Sequence, residues 1–305
     1  MNMELKQKLK LARHNYVLYL LILPAFIYII CFCYLPIYGA QIAFKDYRIQ
    51  MGIFGSSWAG LKWFRMFFTS PRNRTIITNT IIISVYQLVV GFPISIIFAL
   101  LLNQVRNLGY KKIIQTVTYM PYFISTVVIV GMISTFLSPY SGFLNRIIAF
   151  FTGERTYYLG ITKYYYHLYV WSGIWQSFGW NSIIYMAALS SVDTELYEAA
   201  MIDGTNRIQR VWYIDIPHIK PTMVILLILA TGNIMNVGFE KSWLMQNDLN
   251  LSVSEVLSTY SYRIGILNQM YSYSSALGLF NNAVNFLILV LVNFTASRIS
   301  DNSLW

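Results

Sequence analysis

EAAMIDGTNRIQRVWYIDIPHIKP, residues 198–221, is the stretch that decides how this chain is read. Three acids (Glu198, Asp203, Asp215) and three bases (Arg207, Arg210, Lys220) sit within it, and long apolar runs almost without charge flank it. Its local signals spell two short helices. Asp193 or Thr194 caps the first, which runs through Glu195 and Glu198, and acids in a first turn suit the positive end of a helix dipole. Gly204 supplies the left-handed residue that ends it. Asn206, with Gln209 three residues later, forms a capping box for the second helix. Pro217 and Pro221 are expected to stop that helix and redirect the chain into the next apolar run. Ala199 and Ala200 leave a shallow surface that another protein could approach closely. The plain alternative is a structured loop with no partner.

The flanks set the class. The 305 residues are 56% hydrophobic and 11% charged, where soluble domains carry about 25% charged residues. That deficit argues for a polytopic membrane protein. A helix crosses the hydrocarbon core with about 20 mostly apolar residues. Six runs qualify: Tyr16–Tyr38, Ile76–Leu102, Ile113–Phe136, Tyr166–Leu189, Met223–Phe239 and Ala276–Ala296. Lys6, Lys8, Lys10 and Arg13 give the first run a signal-like approach. It is too long for a signal h-region and no small-x-small cleavage site follows, so it reads as a retained span. The expected fold is an all-α membrane helix bundle. A tail covers 1–15, a six-span domain covers 16–299 with the charged loop 193–217, and a tail covers 300–305.

Charge gives a weaker orientation. The 22 Lys and Arg residues divide evenly between the two sides of a six-span layout. Their density on the shorter segments, and the basic N-terminal tail, favour both termini in the cytoplasm. The charged loop then faces the cytoplasm too. The net charge of +10 is scattered, which argues against a nucleic-acid surface. In the outer segment 41–74, Trp58, Leu61, Phe64 and Phe68 fall at helical spacing, suiting a helix that lies at the interface. Residues 240–275 form a second outer loop rich in Ser, Tyr and Asn. No internal repeat and no linker to a soluble domain is apparent.

The six runs contain no Asp, Glu, Lys or Arg, which argues against proton coupling. Sodium coupling through carbonyl and hydroxyl oxygens stays open. There is no G-x-x-x-x-G-K-[ST] loop for ATP, and no paired His, G-x-S-x-G or carboxylate pair for intramembrane catalysis. Cys31 and Cys33 read as small core or lipid-facing residues. His14, His167 and His218 have no ligand spacing, so no metal site is expected. What the runs do carry is neutral polarity. Asn79 and Gln87 lie in the second, Gln176, Ser177, Trp180 and Asn181 in the fourth, Asn233 and Asn236 in the fifth. Asn281, Asn282, Asn285 and Asn293 lie in the sixth. Amides in hydrocarbon need partners, either across helices or in a wet cavity. As a set, with aromatic neighbours, they suit a neutral polyhydroxylated solute. Asn233 and Asn236 are three apart and so share a helix face.

Glu198-Ala199-Ala200, then Gly204, then Ile214 and Ile216-Pro217 resembles the E-A-A, G, I-x-L-P loop of binding-protein-dependent ABC importer permeases. Asp203 beside Gly204 fits the same pattern, and Ile216 stands where leucine is usual. The resemblance implies that Glu198, Ala199, Ala200, Asp203, Gly204, Ile214 and Pro217 form a coupling helix seated in a cleft of an ATPase subunit. GLKWF at 60–64, Asn79-Thr80, Pro121 and YSYSSALGL at 271–279 are similar to the carbohydrate branch, the maltose-type large permeases among them. By that likeness the sugar-lining positions are Gln176, Ser177, Trp180, Gly232, Asn233 and Asn236. Gln176 and Ser177 differ in kind from the maltose-type residues, and the extra N-terminal spans and large outer domain of that subunit are missing. The implied machine is a type I importer in the cell membrane. It contains a second, related permease, two ATPase subunits that use ATP and Mg, and an extracytoplasmic binding protein that delivers an oligosaccharide. No cofactor is implied for this chain. The rival readings are an importer of peptides or another neutral solute, a sodium-coupled secondary transporter, and a membrane scaffold.

Overall fold

Apolar runs of this length can satisfy their backbone groups in lipid only by coiling into helices, and helices are what the chain builds. The computed structural model describes residues 15–299 and 303. Lys6, Lys8, Lys10, Arg13 and His14 of the basic tail, and most of the 300–305 tail, lie outside the described residues. Helix α1 (Tyr16–Ile29) continues through a π turn at Ile30–Tyr34 and a 3-10 stretch at Leu35–Phe44. A two-residue ribbon, Lys45–Asp46 against Ser57–Trp58, leads to α2 (Lys62–Thr69). The long helix α3 (Pro71–Asn103) follows, then α4 (Leu108–Tyr119), α5 (Thr126–Phe136) and α6 (Phe143–Thr152). Helix α7 (Thr162–Ser190) returns across the bundle to α8 (Thr194–Ile202). A turn at Arg207–Arg210 opens α9 (Ile216–Thr231), and α10 (Phe239–Met245), α11 (Leu257–Tyr262) and α12 (Tyr271–Ile299) complete the chain.

Among the described residues, four helical runs are long and apolar enough to cross a membrane, and five if the bent α4–α5 pair counts as one. Helix α7 has the length, at 29 residues, but its tyrosines, tryptophans and amides make it more polar than the others. Its burial explains that tolerance. Tyr165, Tyr169, Val170 and Ile174 sit in the largest core cluster with Ile83 of α3, Val130 of α5 and Val256. A second cluster ties α2 to α12 through Phe67, Tyr273 and Leu277, and a third joins α3, α7 and α9 through Ala99, Tyr185 and Ile219.

Four expectations change. The third run is not one straight span. It breaks after a 3-10 turn at Met120–Phe123, and its halves meet at 98°. Pro121 starts the break, and Gln176 Nε2 donates to Ile124 O at 2.9 Å, so the freed carbonyl has a partner. Next, Pro217 and Pro221 do not stop the second helix of the charged loop. The run Arg207–Thr231 is continuous, because a π turn at Val211–Asp215 opens the helix just before Pro217. The wider turn relieves the clash that proline makes with the carbonyl four residues back. A π turn likewise precedes Pro36. The fifth run ends early, at Thr231 rather than Phe239, because Asn285 Oδ1 accepts from Met235 N at 2.9 Å and stabilises a turn instead. Finally, Trp58 lies in the ribbon and Leu61 precedes α2; the face of that helix turned to the core is Trp63 and Phe67.

The 240–275 segment is no open loop. It folds into α10, α11 and short turns against the bundle, with Ser242, Asn250, Ser254 and Thr259 fully buried. Glu255 is buried there and accepts from Arg72 at 2.8 Å and from Arg263 at 2.8 Å.

Candidate functional site

The charged loop sits where the C-terminal ends of α3 and α7 meet. Asp193 Oδ1 accepts from Glu195 N at 3.0 Å and caps α8. Gly204 has φ +75°, the left-handed conformation that side chains disfavour. Asn206 N donates to Gln209 Oε1 at 2.8 Å and Gln209 N to Asn206 Oδ1 at 2.9 Å, completing the capping box. These are the devices the sequence spelled.

What holds the loop to the bundle was not spelled. Asp215 is fully buried. Its carboxylate accepts from the Tyr197 hydroxyl at 2.5 Å and from Gln104 Nε2 at 3.0 Å. One acid thus ties α8, the lead into α9 and the end of α3 together. Burial, then the Asp215 carboxylate it donates to, pushes the Tyr197 hydroxyl up to about 12. Ser191 Oγ and His218 Nε2, 3.0 Å apart, add a second strut. The opposite face is bare. Glu198, Ala199, Asp203, Gly204 and Pro217 are exposed, while Ala200 and Ile214 are half-buried. Ile202 is 87% exposed and Tyr213 79%, beside exposed Ile208 and Met201. The short helix is thus braced on one side and uncovered on the other, where apolar side chains stand among exposed acids.

A second site lies inside the bundle. A cavity of about 730 Å³ opens between α3, the α4–α5 break, α7 and the end of α9, within the usual range for small-molecule sites. Gln176, Ser177, Asn233 and Asn236 all line it, with Gln87, Asn181 and Tyr122. Asn233 and Asn236 do not share a helix face, because they follow the end of α9. The turn keeps them together all the same: Asn236 Nδ2 donates to Asn233 Oδ1 at 3.2 Å, and Asn281 Nδ2 to Asn236 Oδ1 at 2.7 Å. Trp180 and Gly232 fall outside the lining. The Trp180 ring stacks face to face on Tyr122, with centroids 4.6 Å apart, and so backs an aromatic that does reach the cavity. Gly232 is a close approach to α12, where a Cβ would come within 2.6 Å of Leu289 Cδ1. Asn79 is spent on structure. Its Nδ2 donates to Ser252 O and Glu255 O at 3.0 Å each, and its Oδ1 accepts from Tyr166 at 2.7 Å.

The cavity also holds a cation. Lys241, on α10, is 8% exposed and lines it. Its Nζ donates to Tyr169 O at 2.7 Å and lies 4.6 Å from the centre of the Tyr169 ring. Burial holds the ammonium below the ordinary lysine value, at about 8. The sequence hid it by placing it two residues beyond the expected end of the fifth span; the early end of α9 folds it back in.

Known proteins share this architecture. Protein LplB of Bacillus subtilis (strain 168) is 40% identical over 288 residues, 94% of this chain and 91% of that protein. The polygalacturonan/rhamnogalacturonan transport system permease protein YteP of the same organism is 40% identical over 297 residues, 97% of this chain and 92% of its own length. Among solved structures, a bacterial alginate ABC transporter in complex with an alginate pentasaccharide-bound periplasmic protein contains a chain that is 35% identical. It superimposes with a TM-score of 0.89 and covers 97% of this chain and 99% of that one. A bacterial ABC transporter involved in the import of the acidic polysaccharide alginate matches as well, with TM-score 0.89 and 35% identity, over 96% of this chain and 99% of that one. The profile of the binding-protein-dependent transport system inner membrane components matches residues 91–301. With the braced loop at one end and an amide-lined cavity within, the chain belongs to that family and is the permease subunit of an ABC importer, not an enzyme.

Proposed function

We propose that this chain passes an oligosaccharide through the cavity between α3, α7 and α9. The observation that carries the reading is the lining itself: Gln87, Gln176, Ser177, Asn181, Asn233 and Asn236 present amides and a hydroxyl beside the Tyr122 ring. Amides offer donor and acceptor together, and aromatic faces cover the apolar side of a sugar ring. The names of the similar proteins, given for polygalacturonan/rhamnogalacturonan and alginate transport, support it.

In this reading an extracytoplasmic binding protein delivers the sugar. Two ATPase subunits, which hold the ATP and Mg, grip the surface formed by Glu198, Ala199, Ala200, Asp203, Gly204, Ile214 and Pro217. A second, related permease completes the pore, and both termini lie in the cytoplasm. The Asp215 brace passes the motion of the gripped helix to α3 and α9. Membership in a binding-protein-dependent family removes the sodium-coupled alternative. The test is ATP-driven uptake by the reconstituted complex. Glu198→Lys and Gly204→Pro are each expected to abolish uptake and the stimulation of ATP hydrolysis while the chain still inserts and assembles its spans. Transport that survives both changes overturns the docking surface. Uptake competed by peptides and not by oligosaccharides overturns the substrate class.

A further inference from the structure

We infer that Lys241 is a subsite for a carboxylate on the transported sugar, so that the substrate is an acidic, uronate-containing oligosaccharide. This rests on the oligosaccharide reading and deepens it. Lys241 stands alone among the cavity's lining residues in carrying a charge, and no Asp or Glu is among them. Among the described residues it enters no ion pair. The other deeply buried charges are better compensated: Glu255 is met by two arginines at 2.8 Å, and the Asp215 carboxylate accepts from both Tyr197 and Gln104. A buried ammonium with one carbonyl acceptor keeps two donors unspent in this arrangement. Leaving a buried charge uncompensated is costly, and an arriving carboxylate reverses that cost through charge-assisted hydrogen bonds.

The cavity of about 730 Å³ that Lys241 lines leaves room for one. Gly173 of α7 has no side chain where the ammonium sits: a Cβ there would lie 3.0 Å from Lys241 Nζ and 3.8 Å from Gln87 Nε2. The cation and an amide donor therefore converge on one patch of the cavity wall. Lysine offers a point charge on a flexible stem rather than the bidentate fork of arginine. That suits a group which must hold a passing substrate and then release it. The competing use of Lys241, pinning α10 to α7 through Tyr169, predicts loss of assembly and no dependence on substrate charge.

The decisive measurement is equilibrium dialysis of the detergent-solubilised full complex, without binding protein, against radiolabelled trigalacturonate and its fully methyl-esterified form. The two probes share size and hydroxyls and differ in charge. The parental complex is expected to hold the acid about tenfold or more tighter than the ester, the scale of one charged hydrogen bond. Lys241→Gln is expected to bring the two affinities together, and Lys241→Arg to keep the preference for the acid. Gly173→Ala, which displaces the ammonium but retains it, is expected to reduce the preference partway. Equal retention of acid and ester by the parental complex overturns the assignment. So does an acid preference that survives Lys241→Gln, or a Lys241→Gln complex that falls apart while Gly173→Ala leaves the preference untouched. Failure of the complex to hold either probe or any neutral oligosaccharide overturns the broader oligosaccharide reading with it.

Discussion

Asp215 is the residue on which the charged loop turns. Removing its carboxylate strands the Tyr197 hydroxyl and the Gln104 amide, and an unsatisfied buried polar group costs about 1–3 kcal/mol. Asp215→Ala is therefore expected to lower the melting temperature of the purified protein and to weaken the coupling of ATP hydrolysis to transport. Asp215→Asn keeps one acceptor oxygen and is expected to recover part of both, as read by thermal unfolding and ATPase assays. The residue was in plain view within the loop, but its partners were not. Tyr197 lies 18 positions and Gln104 111 positions away in sequence, and no local pattern connects them. Lys241 was hidden for a related reason, since its burial depends on where α9 happens to end.

At the scale of elements, the breaks carry the information. The π turn at Val211–Asp215 and Pro217 belong together: the wide turn makes room for the ring, and it aims Asp215 inward. Pro217→Ala restores a backbone donor and removes the reason for the wide turn. The segment is then expected to relax toward a regular helix, rotating Asp215 off Tyr197. Coupled ATPase activity should fall while the chain still inserts. An unchanged activity would mean that the turn is held by something other than the proline. The bend between α4 and α5 makes a second case. Gln176→Leu leaves Ile124 O unpaired at the break and is expected to cost about 1–3 kcal/mol, measured as a lower unfolding temperature in detergent. Gln176 thus serves the wall of the cavity and the bend behind it.

On the scale of the whole molecule, α1 is the outlier. None of its side chains is buried, and the Leu35–Phe44 stretch that follows it packs on α12. A helix apolar all round needs lipid or another membrane protein around it, which agrees with a subunit that works in an assembly. Orientation belongs to this scale too. Thr194 and Tyr140 lie toward opposite ends of α7, and both are exposed. With Cys31 and Cys33 replaced by serine, a membrane-impermeant maleimide is expected to label Tyr140→Cys on intact cells. Thr194→Cys should label only after the membrane is opened. The reverse pattern would put the charged loop outside and remove it from the reach of any intracellular ATPase.

The sequence by itself determined the class, an all-α membrane bundle, and the charged loop with its caps. Each of those rests on interactions between residues a few positions apart: apolar run length, Asp193 on Glu195, Asn206 on Gln209, a glycine at positive φ. The amides at 176, 233 and 236 were legible as a set from their residue type within apolar runs, not from local spacing. Only the tertiary structure decided which polar groups face the cavity and which are consumed by packing, as with Asn79 on Ser252 and Glu255, or Gly232 against Leu289. It alone decided that Trp180 backs Tyr122, that the third run breaks, and that a lysine from beyond the fifth helix enters the site. Those outcomes depend on which distant backbone groups need a partner, and that is settled when the helices pack.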